Sequence, residues 1–148
     1  MRIFPKKPFF TSEEEKQIVS AIREAERNTS GEVRVHVESR CKENPFERGL
    51  AVFSELEMHK TQLKYGVLFY LASKDHKFSI IADEGINNVV PEDFWEDIKK
   101  DLEEKFRVKA FSTGLCEAIK ATGVQLKTHF PYQSDDVNEL PDDISKGD

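Results

Sequence analysis

At 148 residues, 38% of them hydrophobic and 34% charged, the chain is long enough for one globular domain with a core and too short for two comfortable ones. Its net charge of −6 sits mostly in the last stretch, where six acids oppose one lysine between Pro131 and Asp148; the body is close to neutral, which argues against nucleic acid or an anionic membrane as the main partner. The N-terminal "MRIFPKKPFF" breaks its apolar residues with charges and prolines, and the longest apolar run, "GVLFYLA", is far short of a membrane span, so the expectation is a soluble, cytoplasmic chain without membrane insertion.

Thr11 or Ser12 opens the first helix: Ser12 and Glu15 have the S-x-x-E capping-box spacing, and Ile18, Ile22 and Ala25 recur at helical intervals, giving a helix over 12–28. "TSG" then stops it. "EVRVHVES" alternates Val33, Val35 and Val37 against Glu32, Arg34, His36 and Glu38, which predicts a strand near a sheet edge. Its polar face reads as solvated, with Arg34 and His36 forming weak ion pairs beside the two glutamates rather than an anion patch. Phe46, Leu50, Phe53 and Leu56 mark a second amphipathic helix ending near Met58 to Lys60.

"GVLFYLAS" is apolar on both faces and therefore central; the helix before it makes it parallel to the first strand through a right-handed crossover. After the polar turn "KDHK", "FSIIAD" runs back antiparallel. Pro91 suits the first position of a helix carrying Phe94, Ile98, Leu102 and Phe106, with Trp95 as core or groove wall. Phe111, Leu115, Ala118 and Ile119 mark a last helix to about His129, and Pro131–Asp148 reads as a mostly irregular acidic tail without EF-hand spacing. Cys41 and Cys116 lack CxxC spacing and read as reduced, with a structural or incidental role. The expected architecture is a small mixed sheet packed by about four helices.

This topology predicts a meeting point, because a strand that returns antiparallel ends beside the beginning of its partner. Ser30, Gly31 and Glu32, then His59, Lys60 and Thr61, then Asp83, Glu84 and Gly85 should share one rim. Their carboxylates and hydroxyls are hard oxygen donors suited to calcium or magnesium rather than zinc, with Lys60 or His59 to neutralise developing charge. The competing reading is that Gly31 and Gly85 relax turns, Ser30 and Thr61 cap, and the carboxylates face water or helix N-termini. No Ser-His-Asp, Cys-His or GxxxxGK[ST] arrangement is present.

"TSGEVRVHV", Ala51 and Phe53 on the following helix, "GVLFYLA" and "IIADEGI", in that order, resemble the TPM domain family over about 12–130. The shape is closest to its stand-alone bacterial subgroup, in which "MHKT" precedes the central strand and "HFP…NELPD" closes the chain. The resemblance implies a three-layer α/β/α sandwich with a mixed sheet; length and composition give a single domain over 1–130 and an acidic, mostly irregular tail over 131–148, which is a departure from the family's usual shape. The resemblance also implies acid phosphatase activity and calcium binding, in proteins usually exported or membrane-anchored, whereas the expectation for this chain is neither a signal peptide nor a trailing membrane helix. The family's acidic strand-end cluster corresponds to Asp83 and Glu84, with Glu32 opposite.

The leading expectation is therefore a divalent-metal-assisted phosphatase or phosphate-ester-binding domain. Glu32, Asp83, Glu84 and Ser30 form the calcium or magnesium set, with Asp83 and Glu32 as direct ligands and Glu84 orienting water, while Lys60 and Thr61 contact the phosphate. The alternative is a non-catalytic module that docks a protein partner through the rim or through "HFPYQSDDVNELPDD".

Overall fold

The computed structural model describes residues 9–60, 65–131, 142 and 144–147. Helix α1 spans Ser12–Glu26 and is capped by Thr11, whose Oγ1 accepts from the Glu14 amide at 3.1 Å while Glu14 Oε1 accepts from the Thr11 amide at 2.9 Å. The capping box thus lies one residue before the Ser12–Glu15 spacing, because Ser12 is already helical. Ile18, Ala21, Ile22 and Ala25 form its buried stripe. Asn28, at φ 63°, turns the chain left-handed into β1, Glu32–Glu38.

Helix α2 (Pro45–Glu55) and a short 3-10 helix (Met58–Lys60) lead to β2 (Gly66–Ala72), and β3 (Lys77–Ala82) returns beside it. A single-turn helix, α3 (Glu84–Asn87), that sequence periodicity does not predict, follows; then come α4 (Phe94–Arg107), α5 (Phe111–His129) and β4 (Ser145–Lys146). Asp93 holds the N-cap position of α4, so Pro91 lies before the cap rather than at the first helical position.

The four strands are ordered β3-β2-β1-β4. β1 and β2 are parallel from Glu32↔Gly66 to Glu38↔Ala72, and β2 and β3 antiparallel from Val67↔Ala82 to Ala72↔Lys77, as the crossover and hairpin arguments require. β1 is not the edge strand, however. Ser145 and Lys146, from the stretch expected to be irregular, pair in parallel with His36 and Val37, anchored by the buried Ile144.

Helices α1, α4 and α5 cover the sheet face of Val33, Val35, Val37, Val67, Phe69 and Leu71, and α2 covers the face of Leu68, Tyr70 and Ile81. This three-layer arrangement overturns the reading of β1's polar face as solvated: Glu32, His36 and Glu38 are each less than 8% exposed. Arg48 of α2 reaches over Glu38, and Tyr70, Ser145 and Gly147 flank His36. At Gly49 a Cβ would come 2.9 Å from Ile81 Cγ1, so α2 lies directly against β3. The same contact sets the helix's rotation, burying Gly49, Val52 and Phe53 while Phe46 and Leu50, expected on the apolar face, remain 53% and 46% exposed.

On the opposite face, α1 and α5 approach so closely that a Cβ on Gly123 would come 2.7 Å from the Ala25 Cα. A backbone atom cannot swing away as a side chain can. Gly123→Ala gains about 1 kcal/mol in helix propensity, but overpacking costs about 1–3 kcal/mol, so the helices are expected to part and the melting temperature to fall. An unchanged melting temperature would contradict this packing. No helix among the described residues is long and apolar enough to cross a membrane.

Candidate functional site

The convergence of strand ends forms. The Glu32 amide donates to the Tyr65 carbonyl at 3.0 Å, and the Asp83 amide donates to the Gly66 carbonyl at 2.9 Å, extending the β2–β3 ladder by one residue. Glu32, Gly66 and Asp83 therefore stand in one row across three strands. Strand alternation puts the side chains of Glu32 and Asp83 on the α2 side, with Glu32 in phase with His36 and Glu38, and Asp83 in phase with Ser79 and Ile81. Gly66 contributes no side chain between them. Among the described residues, the atoms nearest a Cβ there would be Met58 Cε, at 3.5 Å, and the Phe53 ring, at 4.0 Å, which give the centre of the row an apolar wall. Met58 is buried at the start of the 3-10 helix that also carries His59 and Lys60, and its Cε lies on the Gly66 side of that helix.

Individual side chains are less uniformly committed to that centre. Asp83 Oδ1 accepts from the Glu84 amide at 2.9 Å and caps α3, whereas its Oδ2 is buried without a hydrogen-bond partner. Glu84 is exposed in the first turn of α3. Lys60 Nζ lies 3.2 Å from Glu57 Oε1 in a solvent-exposed pair. The Ser30 hydroxyl donates to the Pro131 carbonyl at 3.2 Å and its amide to the Phe130 carbonyl, which ties this residue to the end of α5. Thr61 lies outside the described residues.

The glycines do not relax turns, since no described glycine has positive φ; Gly31 instead makes room for Leu126, whose Cδ2 would be 2.7 Å from an added Cβ. Among the described residues no three His, Cys, Asp or Glu side chains gather as a metal cluster. What the rim offers is a pair of acids and backbone carbonyls, a donor set for a hard cation that keeps much of its water, and one with no thiolate or imidazole for zinc.

A denser polar network lies at the other end of β1. Glu38 accepts from Arg48 Nε at 2.9 Å and Nη2 at 3.0 Å, and from the Tyr70 hydroxyl, with His36 Nε2 at 3.1 Å. His36 Nδ1 is 3.0 Å from Ser145 Oγ. These groups satisfy one another, so they clamp α2 and β4 to β1 rather than offer an anion patch. Burial and the Glu38 hydrogen bond raise the Tyr70 hydroxyl far above its ordinary value, keeping it a donor.

A third feature joins α1 to the tail. Glu26 Oε2 accepts from the Val33 amide at 2.9 Å, and the Glu26 carboxyl shares a hydrogen bond with Asp142, itself 3.8 Å from Arg23 Nε. Burial, seconded by Asp142, pushes the Glu26 carboxyl up to about 9.

Two surface depressions lie elsewhere, one along α1 beside Glu15, Lys16 and Arg23, the other between α1 and α5 beside Cys116. Both are open and lined largely by exposed side chains. The rim carries the better chemistry because it holds a desolvated carboxylate oxygen without a partner. Two parts of these sites escaped sequence reasoning. Gly66, a glycine opening an otherwise bulky strand, was the available signal for the centre of the row; Glu26 and Asp142, 116 positions apart, left none.

Comparison with known proteins agrees with the fold. The family model of the TPM domain matches residues 5–125. No curated protein matches the chain. Among solved structures, the BA42 protein of the psychrophilic bacterium Bizionia argentinensis is 45% identical over 97% of this chain and 99% of its own, with a TM-score of 0.88. The N-terminal domain of a P. gingivalis protein is 16% identical over 84% of this chain and 82% of its own, with a TM-score of 0.69. The N-terminal domain of the cg2496 protein of Corynebacterium glutamicum is 9% identical over 93% and 94%, with a TM-score of 0.64. The latter two likenesses concern fold alone. With the ordered strand segments, the mixed sheet and a match over most of its length in agreement, this chain belongs to the TPM domain family.

Proposed function

We propose that the rim around Gly66 binds calcium or magnesium and, through it, a small phosphate ester. The observation that supports this is Asp83 Oδ2, a buried carboxylate oxygen with no partner, in the same row as the buried Glu32. An unpaired buried acceptor costs about 1–3 kcal/mol, and a cation held between the two acids returns that cost. Asp83 and Glu32 would hold the ion, with backbone carbonyls and water completing its shell. When bound, such an ion polarises a phosphoryl oxygen and acidifies its water.

The remaining groups of this chain act around that centre. Glu84 presents an exposed carboxylate one residue from Asp83 and orients water; Lys60 offers its ammonium to the ester by leaving the exposed and weak Glu57 pair. Ser30 is a poorer ligand than its position suggests, given its bond to Pro131. That pairing of Lys60, and the exposure of Glu84, favour binding over turnover, so an interaction module with a cation-dependent rim is the second reading.

A titration decides between them. Melting temperature is measured with 0 to about 10 mM calcium or magnesium for the parent and for Asp83→Asn; saturation about a hundredfold above Kd stabilises by about 2.7 kcal/mol. The parent is expected to rise and Asp83→Asn to stay flat while retaining its fold. Flat curves for the parent with both ions end the cation reading. Metal-dependent hydrolysis of p-nitrophenyl phosphate, lost in Asp83→Asn, would establish turnover; cation binding without hydrolysis would leave the module.

A further inference from the structure

We propose, resting on the cation reading above, that Asn87 and Trp95 are positioning residues of that site: they fix the direction of the Asp83 carboxylate and carry the occupancy of the site to the indole of α4. The backbone of Asp83 is held on both sides. Its amide donates to the Gly66 carbonyl at 2.9 Å, and its carbonyl accepts from the amides of Ile86 at 3.0 Å and Asn87 at 3.2 Å. The carbonyl just before it, that of Ala82, accepts from Asn87 Nδ2 at 3.0 Å. Asn87 therefore bonds both carbonyls that flank the Asp83 Cα, one through its main chain and one through its side chain. With Oδ1 taken by the Glu84 amide at 2.9 Å, the direction left to the buried Oδ2 is set by this turn rather than by a hydrogen bond of its own.

An exposed asparagine at the end of a four-residue helix does not keep such a geometry by itself, because water competes for each of its bonds. Trp95 steadies it: the indole Nε1 donates to Asn87 Oδ1 at 3.0 Å. The indole N–H can only donate and the Ala82 carbonyl can only accept, so one orientation of the carboxamide serves both. Trp95 is in turn packed against the apolar core and meets the Phe94 ring edge-on, with centroids 4.7 Å apart. A line of hydrogen bonds thus runs from a core-anchored ring on α4, through α3, to the carboxylate that would hold the ion. Groups that orient a ligand without touching the metal govern its affinity by about ten- to a hundredfold. Coupling of this kind is reciprocal, so an ion that draws on Asp83 perturbs the indole. Trp95 is the one tryptophan of the chain, and its emission reports on this path alone.

The experiment compares the full-length parent with Asn87→Ala and with Trp95→Phe, which keeps a ring against the core and removes the N–H. Each is titrated with calcium or magnesium chloride by isothermal calorimetry and, where the indole is present, by its fluorescence. The parent's emission is expected to change with the calorimetric midpoint. Asn87→Ala and Trp95→Phe are expected to stay folded and to need about tenfold more ion, and the emission of Asn87→Ala to lose its response even when the ion is bound. Ile98→Val, on the same helix but off this path, should lower the melting temperature and leave the midpoint where it is, which is also what a merely structural Trp95 would do. Folded variants that bind the ion as tightly as the parent would overturn the positioning role and leave the cation reading standing; so would an indole emission that stays constant while the parent binds. Unfolding of both variants would overturn it too, by making the pair part of the fold alone. A parent that binds neither ion ends the cation reading and the positioning role together, so the two failures are told apart.

Discussion

Replacing Glu38 by alanine is expected to destabilise the domain by about 3–5 kcal/mol, the range for removing one partner of a buried ion pair. The glutamate side chain is 6% exposed and receives both Arg48 Nε and Nη2, the Tyr70 hydroxyl and His36 Nε2. Alanine strands a guanidinium and a phenol beneath α2, where water cannot replace the lost oxygens at equal cost. Burial alone would push the Glu38 carboxyl up, but the hydrogen bonds from Arg48, Tyr70 and His36 outweigh it and hold it at about 2. Its folded value is thus below the ordinary 4.5, so its contribution is present above about 4.5 and is lost as pH falls toward 2. Urea unfolding of Glu38→Ala, Arg48→Met and the double variant measures the coupling. A loss below about 1 kcal/mol would be the behaviour of an exposed pair and would contradict the burial of this network.

The contrast between this network and the rim shows what a sequence discloses. Topology was legible: the strand–helix–strand crossover and the "KDHK" turn fix which strand ends meet, and Glu32, Gly66 and Asp83 do stand in one row. Orientation about helix axes was not. Phe46 and Leu50 fit an apolar stripe as well as Val52 and Phe53 do, and only the contact of Gly49 with Ser79 and Ile81 decides which face turns inward. Arg48 of α2 meets Glu38, and Ser145 and Gly147 of the terminal segment meet His36, so a strand whose alternation reads as half-solvated becomes the seat of a buried polar cluster. The tail misled for a related reason. Its composition favours disorder, yet Ile144, Ser145, Lys146 and Gly147 each find a specific partner on β1 or α1, and long-range pairing of two residues leaves no periodic signal.

Glu26 should give the domain an alkaline weakness that mirrors the acid weakness of Glu38. Burial, the Asp142 carboxylate and the field of Glu32 raise Glu26 to about 9 despite the opposing Val33 amide, and Arg23 is the nearby cation, 3.8 Å from Asp142. A folded value above 4.5 means that the contribution is complete below about 4.5 and is lost progressively as pH rises through about 9. Each tenfold gain in proton affinity on folding is worth about 1.4 kcal/mol, and local opening of the tail lets water relieve part of it, so a loss of about 2–4 kcal/mol between pH 5 and 9 is expected for the parent. Glu26→Gln keeps a carboxamide oxygen for the Val33 amide and an NH2 for Asp142 without a titrating proton. This variant should therefore be more stable than the parent at pH 8 and nearly level with it at pH 5. Urea unfolding at the two pH values tests the claim, and parallel pH profiles for parent and variant would reject it. Hydrogen exchange at the Gly147 amide separates the cause: since that amide bonds the Val37 carbonyl, it should lose protection with rising pH in the parent and keep it in Glu26→Gln if the carboxyl pair is what seats the terminal strand.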